Sequence, residues 1–132
     1  MTNMNAHEFE SLAREVLSDK FGTRLTSLKL AGFPKKFDLV SSDGQIVRDA
    51  KFFSMVRGYK VPPAKWSVIA EHVWFLEKTK AQIRFLVFGN DRRVAATWIH
   101  RWGKFVPSNV DFYFLEGNKG LELLPKYEGL AP

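Results

Sequence analysis

The chain has 132 residues, of which 45% are hydrophobic and 14% aromatic, and it contains no cysteine. This length and composition predict one folded domain over residues 1–132 and argue against a disordered or fibrous chain. The lack of cysteine excludes thiolate zinc sites, iron–sulfur clusters, disulfides and cysteine nucleophiles. The sequence shows neither a transmembrane stretch nor a signal-peptide pattern, so we expect a cytoplasmic protein without a membrane partner.

Basic residues exceed acidic residues, with 20 Lys and Arg against 14 Asp and Glu and a net charge of +6. Such a surplus favours an anionic partner, with nucleic acid first and a membrane surface second. The charges are also segregated, because residues 50–70 contain no acid and Asp91 is the only acid in residues 78–110. This segregation is typical of a phosphate-binding surface around an acidic site.

The first half of the chain predicts a helix followed by three strands. Apolar residues recur at three- and four-residue steps over residues 5–21, and Gly22 is a suitable helix-ending glycine. Strand-like runs follow at about residues 24–30, 36–40 and 45–53. The Asp43-Gly44 pair between the second and third runs predicts a β-hairpin.

The second half predicts two further helices that alternate with strands. Pro62 and Pro63 open a helix over about residues 64–78, and a continuous apolar run at residues 83–88 predicts a buried strand. A helix from residue 90 or 91 to about 102 follows, then a strand at 110–115 and a short run at 121–124. The order predicts an α/β (α+β) domain with a mixed central sheet flanked by helices.

The predicted hairpin brings two carboxylates together. If Asp43-Gly44 forms its loop, Asp38 lies opposite Asp49, and Lys51 lies on the same face. Opposed carboxylates repel, so one of them must take up a proton, gain cationic neighbours or share a metal ion. An ordinary charged surface is the alternative, with Lys36 and Lys51 paired diagonally to the two carboxylates.

A third acid and the order of elements add a family resemblance. Glu10 lies at the margin of the apolar stripe of the first helix. With Glu10 on that helix, Phe37-Asp38 on the second strand and Asp49-Ala50-Lys51 on the third, the chain resembles the PD-(D/E)XK nuclease superfamily. The resemblance covers roughly residues 5–116, and Phe37 stands where the family motif has proline. It implies an αβββαβ-type, restriction-endonuclease-like fold.

The resemblance also implies a reaction and its residues. Glu10, Asp38, Asp49 and the Ala50 carbonyl would be ligands of Mg²⁺ or Mn²⁺, with Lys51 beside the attacking water. Carboxylate and carbonyl oxygens suit such hard cations. The expected activity is metal-dependent hydrolysis of phosphodiester bonds, with DNA favoured over RNA as the substrate.

Several other residues are weaker candidates. Basic and aromatic residues after the third strand are predicted to bind nucleic acid, namely Arg57, Tyr59, Lys60 and Lys65. Arg92 and Arg93 could hold a phosphate, although capping by Asp91 also explains that stretch. Trp98 and Trp102 suit a core better than a stacking platform. The three histidines lack the spacing of zinc ligands.

Two alternatives to a nuclease remain open at this point. The first is a non-catalytic nucleic-acid-binding module on the same fold, and the second is a structural protein whose charged hairpin is a solvated face. A chain this short leaves little room for a separate recognition domain, so we expect it to recognise nucleic-acid shape, or a homodimer or a partner protein to complete recognition.

Overall fold

A computed structural model of the protein describes residues 4–53, 63–106, 109–116 and 120–126. Its elements are α1 (Ala6–Phe21), β1 (Leu25–Lys29), β2 (Lys36–Ser41), β3 (Ile46–Phe53), α2 (Pro63–Lys78), β4 (Ile83–Asn90), α3 (Arg92–Trp102), the 3₁₀ helix η1 (Gly103–Phe105), β5 (Asp111–Leu115) and β6 (Leu121–Leu124). The predicted elements and their order are confirmed. None of the helices in this described part of the chain is both long and apolar enough to cross a membrane.

The six strands form one mixed sheet in the order β1-β2-β3-β4-β5-β6. The β3–β4 and β4–β5 pairs are parallel, and the other pairs are antiparallel. Parallel neighbours need a crossover, which α2 supplies between β3 and β4 and α3 supplies between β4 and β5. The described residues therefore form an α/β fold with a mixed central sheet and three α-helices.

The first helix is defined by its two ends. The Glu8 N–H donates to Asn5 Oδ1 at 2.8 Å, and the Asn5 N–H donates to Glu8 Oε1 at 3.0 Å, which together form a capping box. Gly22 ends the helix in the left-handed region at φ 62°, which suits a residue without a Cβ. Between these ends, α1 buries Phe9 and Leu17 on the sheet.

The helices cover opposite faces of the sheet. The α1 face has its own apolar cluster, which includes Leu39, Ala50 and Val87 from the strands. The other face lies under α2 and α3, whose buried side chains form a larger cluster with the strand residues. Side chains at successive positions of one strand therefore enter different clusters.

The β2–β3 hairpin has the predicted register. Leu39 pairs with Arg48 and Val40 with Val47, which brings Asp38 level with Asp49. Gly44 lies in the turn at φ 73°. On its other side, β2 carries one extra residue between Phe37 and Val40 relative to β1, so the strand is bulged beside Asp38.

Candidate active site

The centre of the candidate site is the carboxylate of Asp49, which is fully buried on β3. Its Oδ2 atom lies 2.6 Å from Lys35 Nζ and 2.6 Å from His72 Nδ1, and these two nitrogens are 2.6 Å apart. Burial opposes ionisation of Asp49, but the hydrogen bond from His72 and the charge of Lys35 outweigh it and lower its pKa to about 2. Asp49 is therefore a carboxylate at neutral pH.

Asp38 and Asp49 meet where the β2–β3 ladder ends. The backbone N–H of Asp38 donates to Asp49 Oδ1 at 3.1 Å, and the backbone N–H of Ala50 donates to Asp38 Oδ2 at 2.9 Å. Side-chain oxygens thus accept from backbone donors that would otherwise pair across the two strands. These two hydrogen bonds join β2 to β3 at the end of the hairpin and bring the two carboxylates together.

The ionisation of Asp38 is opposed first by burial and then by neighbouring negative charges. Burial raises its pKa from 3.8 to about 6, with help from the charges of Asp49 and Glu10. The hydrogen bond from Ala50 and the charge of Lys51 act in the opposite direction. A cation placed beside Asp38 would relieve this destabilisation of its charged form.

Lys51 and Glu10 belong to the same electrostatic cluster. Burial lowers the pKa of Lys51, and the charges of Asp49 and Asp38 oppose that shift. Lys35 lowers it further, and Glu10 raises it. The four side chains predicted to be catalytic, Glu10, Asp38, Asp49 and Lys51, therefore act on one another electrostatically.

These residues fit a hard divalent cation by their donor chemistry. Two facing carboxylates with Glu10 nearby supply the oxygen atoms that Mg²⁺ and Mn²⁺ prefer. However, the described residues contain no group of three His, Cys, Asp or Glu side chains arranged to hold a metal ion. Asp49 Oδ2 is instead bound by Lys35 and His72. In this structure the ammonium group of Lys35 occupies the position beside Asp49 Oδ2 where a metal ion would bind.

The sequence interpretation missed both partners of Asp49. It proposed Lys36 as a diagonal partner, but Lys36 is exposed and the neighbouring Lys35 makes the ion pair. His72 drew attention only because it lacks zinc-ligand spacing, yet it reaches Asp49 from α2. The only early signal was chemical, since a buried carboxylate requires cationic or hydrogen-bonding partners.

Of the four residues predicted to bind nucleic acid, the structure describes one. Arg57, Tyr59 and Lys60 lie outside the described residues, whereas Lys65 is half-buried in the first turns of α2.

Around α3, the capping interpretation is confirmed. Asp91 accepts from the Arg93 N–H, and the Arg93 side chain pairs with Asp91 at 2.7 Å. Arg92 pairs with Glu122 at 2.8 Å. The two arginines therefore have partners within the protein.

Comparisons with protein-family models, with curated proteins and with solved structures gave no match for this chain.

Proposed function

We propose that this protein is a metal-dependent nuclease that hydrolyses phosphodiester bonds, with DNA as the favoured substrate. The observation that carries the proposal is the facing pair of carboxylates beside Lys51, of which Asp49 is fully buried and Asp38 half-buried. Repulsion between such groups destabilises a fold unless a cation or a proton compensates it. A site that tolerates this cost is a candidate for function.

The order of elements supports the same proposal. An acid-bearing helix is followed by three antiparallel strands, with the two aspartates on the second and third, and then by a helix and a parallel strand. This is the arrangement that the PD-(D/E)XK resemblance implies, and we propose a restriction-endonuclease-like fold. The net charge of +6 favours the polyanionic partner that such an enzyme requires.

The proposed cofactor is Mg²⁺ or Mn²⁺. Asp38, Asp49 and Glu10 would hold it, with the Ala50 carbonyl as a further oxygen. When bound, such an ion supplies Lewis acidity toward the phosphate and makes a nearby water more acidic. Because Lys35 and His72 contact Asp49 Oδ2, they must move away before that oxygen can bind another cation.

The reaction consumes one water for each bond cleaved. The water oxygen forms a bond to phosphorus, its proton passes to a base or to solvent, and the bond from phosphorus to one ester oxygen breaks. The departing oxygen takes up a proton. Lys51 would orient the water and offset charge that develops on the phosphate, while the low pKa of Asp49 keeps that carboxylate anionic.

We propose nucleic-acid contacts for Arg57, Tyr59, Lys60 and Lys65, which follow the site in the chain. The proposed setting is the cytosol, and a second copy or a partner protein would complete substrate recognition. Light scattering on the purified protein tests the dimer directly, because a strict monomer at working concentration would exclude it.

The decisive experiment compares cleavage by three proteins. Wild type, Asp49→Asn and Asp43→Asn are incubated with plasmid, single-stranded and branched DNA and with RNA, in Mg²⁺, Mn²⁺ or EDTA. Asp43 is the matched control, because it is an aspartate of the same hairpin that lies on its exposed turn. We expect Asp49→Asn to lose at least about 10²-fold in rate and Asp43→Asn to retain activity. Equal cleavage by Asp49→Asn, or cleavage that persists in EDTA, would refute the proposal.

One observation favours the alternative, a non-catalytic nucleic-acid-binding module. Within the described ranges no three-residue metal-binding group is formed, and Lys35 already neutralises Asp49. A binding module would retain nucleic acid in a filter or mobility assay and would leave every substrate uncut in all metals. The same set of incubations therefore decides between the two functions.

A further inference from the structure

All four tryptophans of the chain line one groove between α2 and α3. Trp66 and Trp74 come from α2, Trp98 and Trp102 from α3, and Phe105 from η1 completes the lining. The groove has a volume of about 400 Å³. The sequence interpretation assigned Trp98 and Trp102 to the core, which is correct for the buried Trp98, but Trp102 is only half-buried.

The groove has a buried floor and exposed aromatic walls. Trp66 and Trp102 contact edge to face with ring centroids 4.6 Å apart, and Trp98 lies 5.8 Å from Trp102. By contrast, Trp74 is 54% exposed and Phe105 is 72% exposed. Large aromatic side chains left in water around a preformed groove are typical of a binding surface.

Cations stand over the aromatic rings of this groove. The Arg101 guanidinium lies 5.4 Å from the Trp66 ring and 5.9 Å from the Trp102 ring. Lys78 Nζ lies 5.7 Å from the Trp74 ring, and Lys104 Nζ lies 5.3 Å from the Phe105 ring. Among the described lining residues Glu77 is the only acid, and it lies 3.5 Å from Lys78. The groove is therefore aromatic inside and positive at its rim.

We infer that this groove binds unpaired bases of a single-stranded nucleic acid. Aromatic rings offer stacking surfaces to bases of any sequence, and the cations offer partners to the phosphates on either side. An apolar protein segment would match the rings but not the three cations. A groove of about 400 Å³ is also in the size range of small-ligand sites, so it suits one or two planar rings.

The groove and the candidate active site both involve α2. His72 of α2 contacts Asp49, and the next two residues, Val73 and Trp74, line the groove. The groove and the carboxylates are thus separated by one helix, which is about 10–12 Å across. We therefore expect the substrate to be a nucleic acid with a single-stranded segment beside the bond that is cleaved. This inference rests on the proposed function only in taking nucleic acid as the partner.

Direct binding in EDTA tests the groove without any cleavage. A labelled oligothymidine and a duplex of equal length are titrated with wild type, Trp74→Ala, Phe105→Ala and Leu123→Ala. Leu123 is the matched control, since it is a 58% exposed apolar side chain on β6, outside the groove. We expect Trp74→Ala and Phe105→Ala each to weaken single-strand binding by about 10-fold and to change duplex binding little. Leu123→Ala should bind as wild type does.

Tryptophan fluorescence gives a second readout, because every tryptophan lines the groove. Oligothymidine should quench the emission of wild type at the same concentrations that saturate binding. Equal single-strand affinity in Trp74→Ala and Leu123→Ala, or binding without quenching, would overturn the inference. So would a dimer that dissociates in Trp74→Ala while nucleic-acid affinity is unchanged, because the occupant would then be a second copy.

The outcomes separate this inference from the proposed nuclease. Single-strand binding that depends on Trp74, with no cleavage of any substrate, would overturn the nuclease and support the groove. Metal-dependent cleavage that Asp49→Asn abolishes, with single-strand binding unaffected by Trp74→Ala, would do the reverse.

Discussion

Two adjacent residues of β3 bury a charged group on opposite faces of the sheet, and they do so differently. Asp49 and Arg48 are both fully buried. Asp49 has two nitrogen partners at 2.6 Å. The Arg48 guanidinium packs against two adjacent rings, 4.1 Å from the centroid of Phe21 and 4.4 Å from that of Phe85. No hydrogen-bond acceptor in the described part of the chain reaches its three nitrogens.

The two faces of the sheet compensate the burial of a charged side chain to different extents. Burial lowers the pKa of Arg48 to about 9, and the charge of Tyr113 opposes that shift. Aromatic faces attract a cation, but they replace the hydrogen bonds of water incompletely. On the α2 side, by contrast, the burial of Asp49 is compensated by specific partners. On the α1 side the buried Arg48 guanidinium has no hydrogen-bond partner among the described residues, whereas on the α2 side Asp49 is paired with Lys35 and His72.

Loss of the partner of Asp49 should have the largest effect on stability. Lys35→Ala removes the lysine cation from a buried carboxylate and leaves it with His72 and the Asp38 N–H, so we expect the free energy of unfolding to fall by about 3 kcal/mol. Lys36→Ala is the control, since its side chain is exposed and the change should be within about 0.5 kcal/mol. Urea unfolding in EDTA measures both variants. Equal stability of the two would mean that the Lys35–Asp49 pair contributes nothing.

Removal of the buried Arg48 cation on the α1 face of the sheet should raise the free energy of unfolding. Arg48→Met keeps an apolar, flexible side chain against Phe21 and Phe85 and removes a charge without an acceptor, so we expect a gain of about 2 kcal/mol. Arg84→Met is the control, because Arg84 donates to the Thr79 carbonyl at 2.6 Å. Its loss should cost about 1 kcal/mol. A destabilised Arg48→Met would show that the ring contacts outweigh the burial of the charge.

The smallest effect should come from Asp38 and should depend on pH. Its pKa is 3.8 in the unfolded chain and about 6 in the fold, so the folded state binds more protons between these values. Stability therefore falls as pH rises from about 4 to 6 and is level above that range. Asp38→Asn keeps an acceptor for the Ala50 N–H and abolishes this fall, so it should gain about 1–2 kcal/mol at pH 7.

Asp43→Asn is the control for this pH series. The hydrogen bond from Ser41 lowers the pKa of Asp43, so the stability that this carboxylate contributes is constant from pH 4 to 7 and is lost only at lower pH. Thermal or urea unfolding from pH 4 to 7, in EDTA, gives the profiles. A wild-type profile without a fall between pH 4 and 6 would contradict the raised pKa of Asp38.

The elements of the fold could be predicted because their signals are local. The Asn5–Glu8 capping box, Gly22 and the turn at Gly44 each depend on residues a few positions apart. The register that aligns Asp38 with Asp49 also followed from the turn, because side chains alternate along a strand. These features need no knowledge of distant contacts.

The surroundings of the carboxylates depend on tertiary packing and could not be predicted. Lys35 precedes β2, and His72 lies in the middle of α2, 37 residues away in sequence. Alternation along β2 predicted that Lys36 would face Asp49, but the bulge beside Asp38 changes how this part of the strand is presented. No local pattern distinguishes Lys35 from its neighbour. The aromatic groove between α2 and α3 was likewise missed, because it forms only when these two helices pack together.

The use of side-chain oxygens to close the end of the hairpin gives the protein a built-in spectroscopic reporter. The amide protons of Ala50 and Asp38 each point at a carboxylate oxygen of the site. Any ligand that draws those oxygens away must change the chemical shift of these two protons and speed their exchange with solvent. Two resonances of the backbone thus report the occupancy of the site, even in variants that cleave nothing.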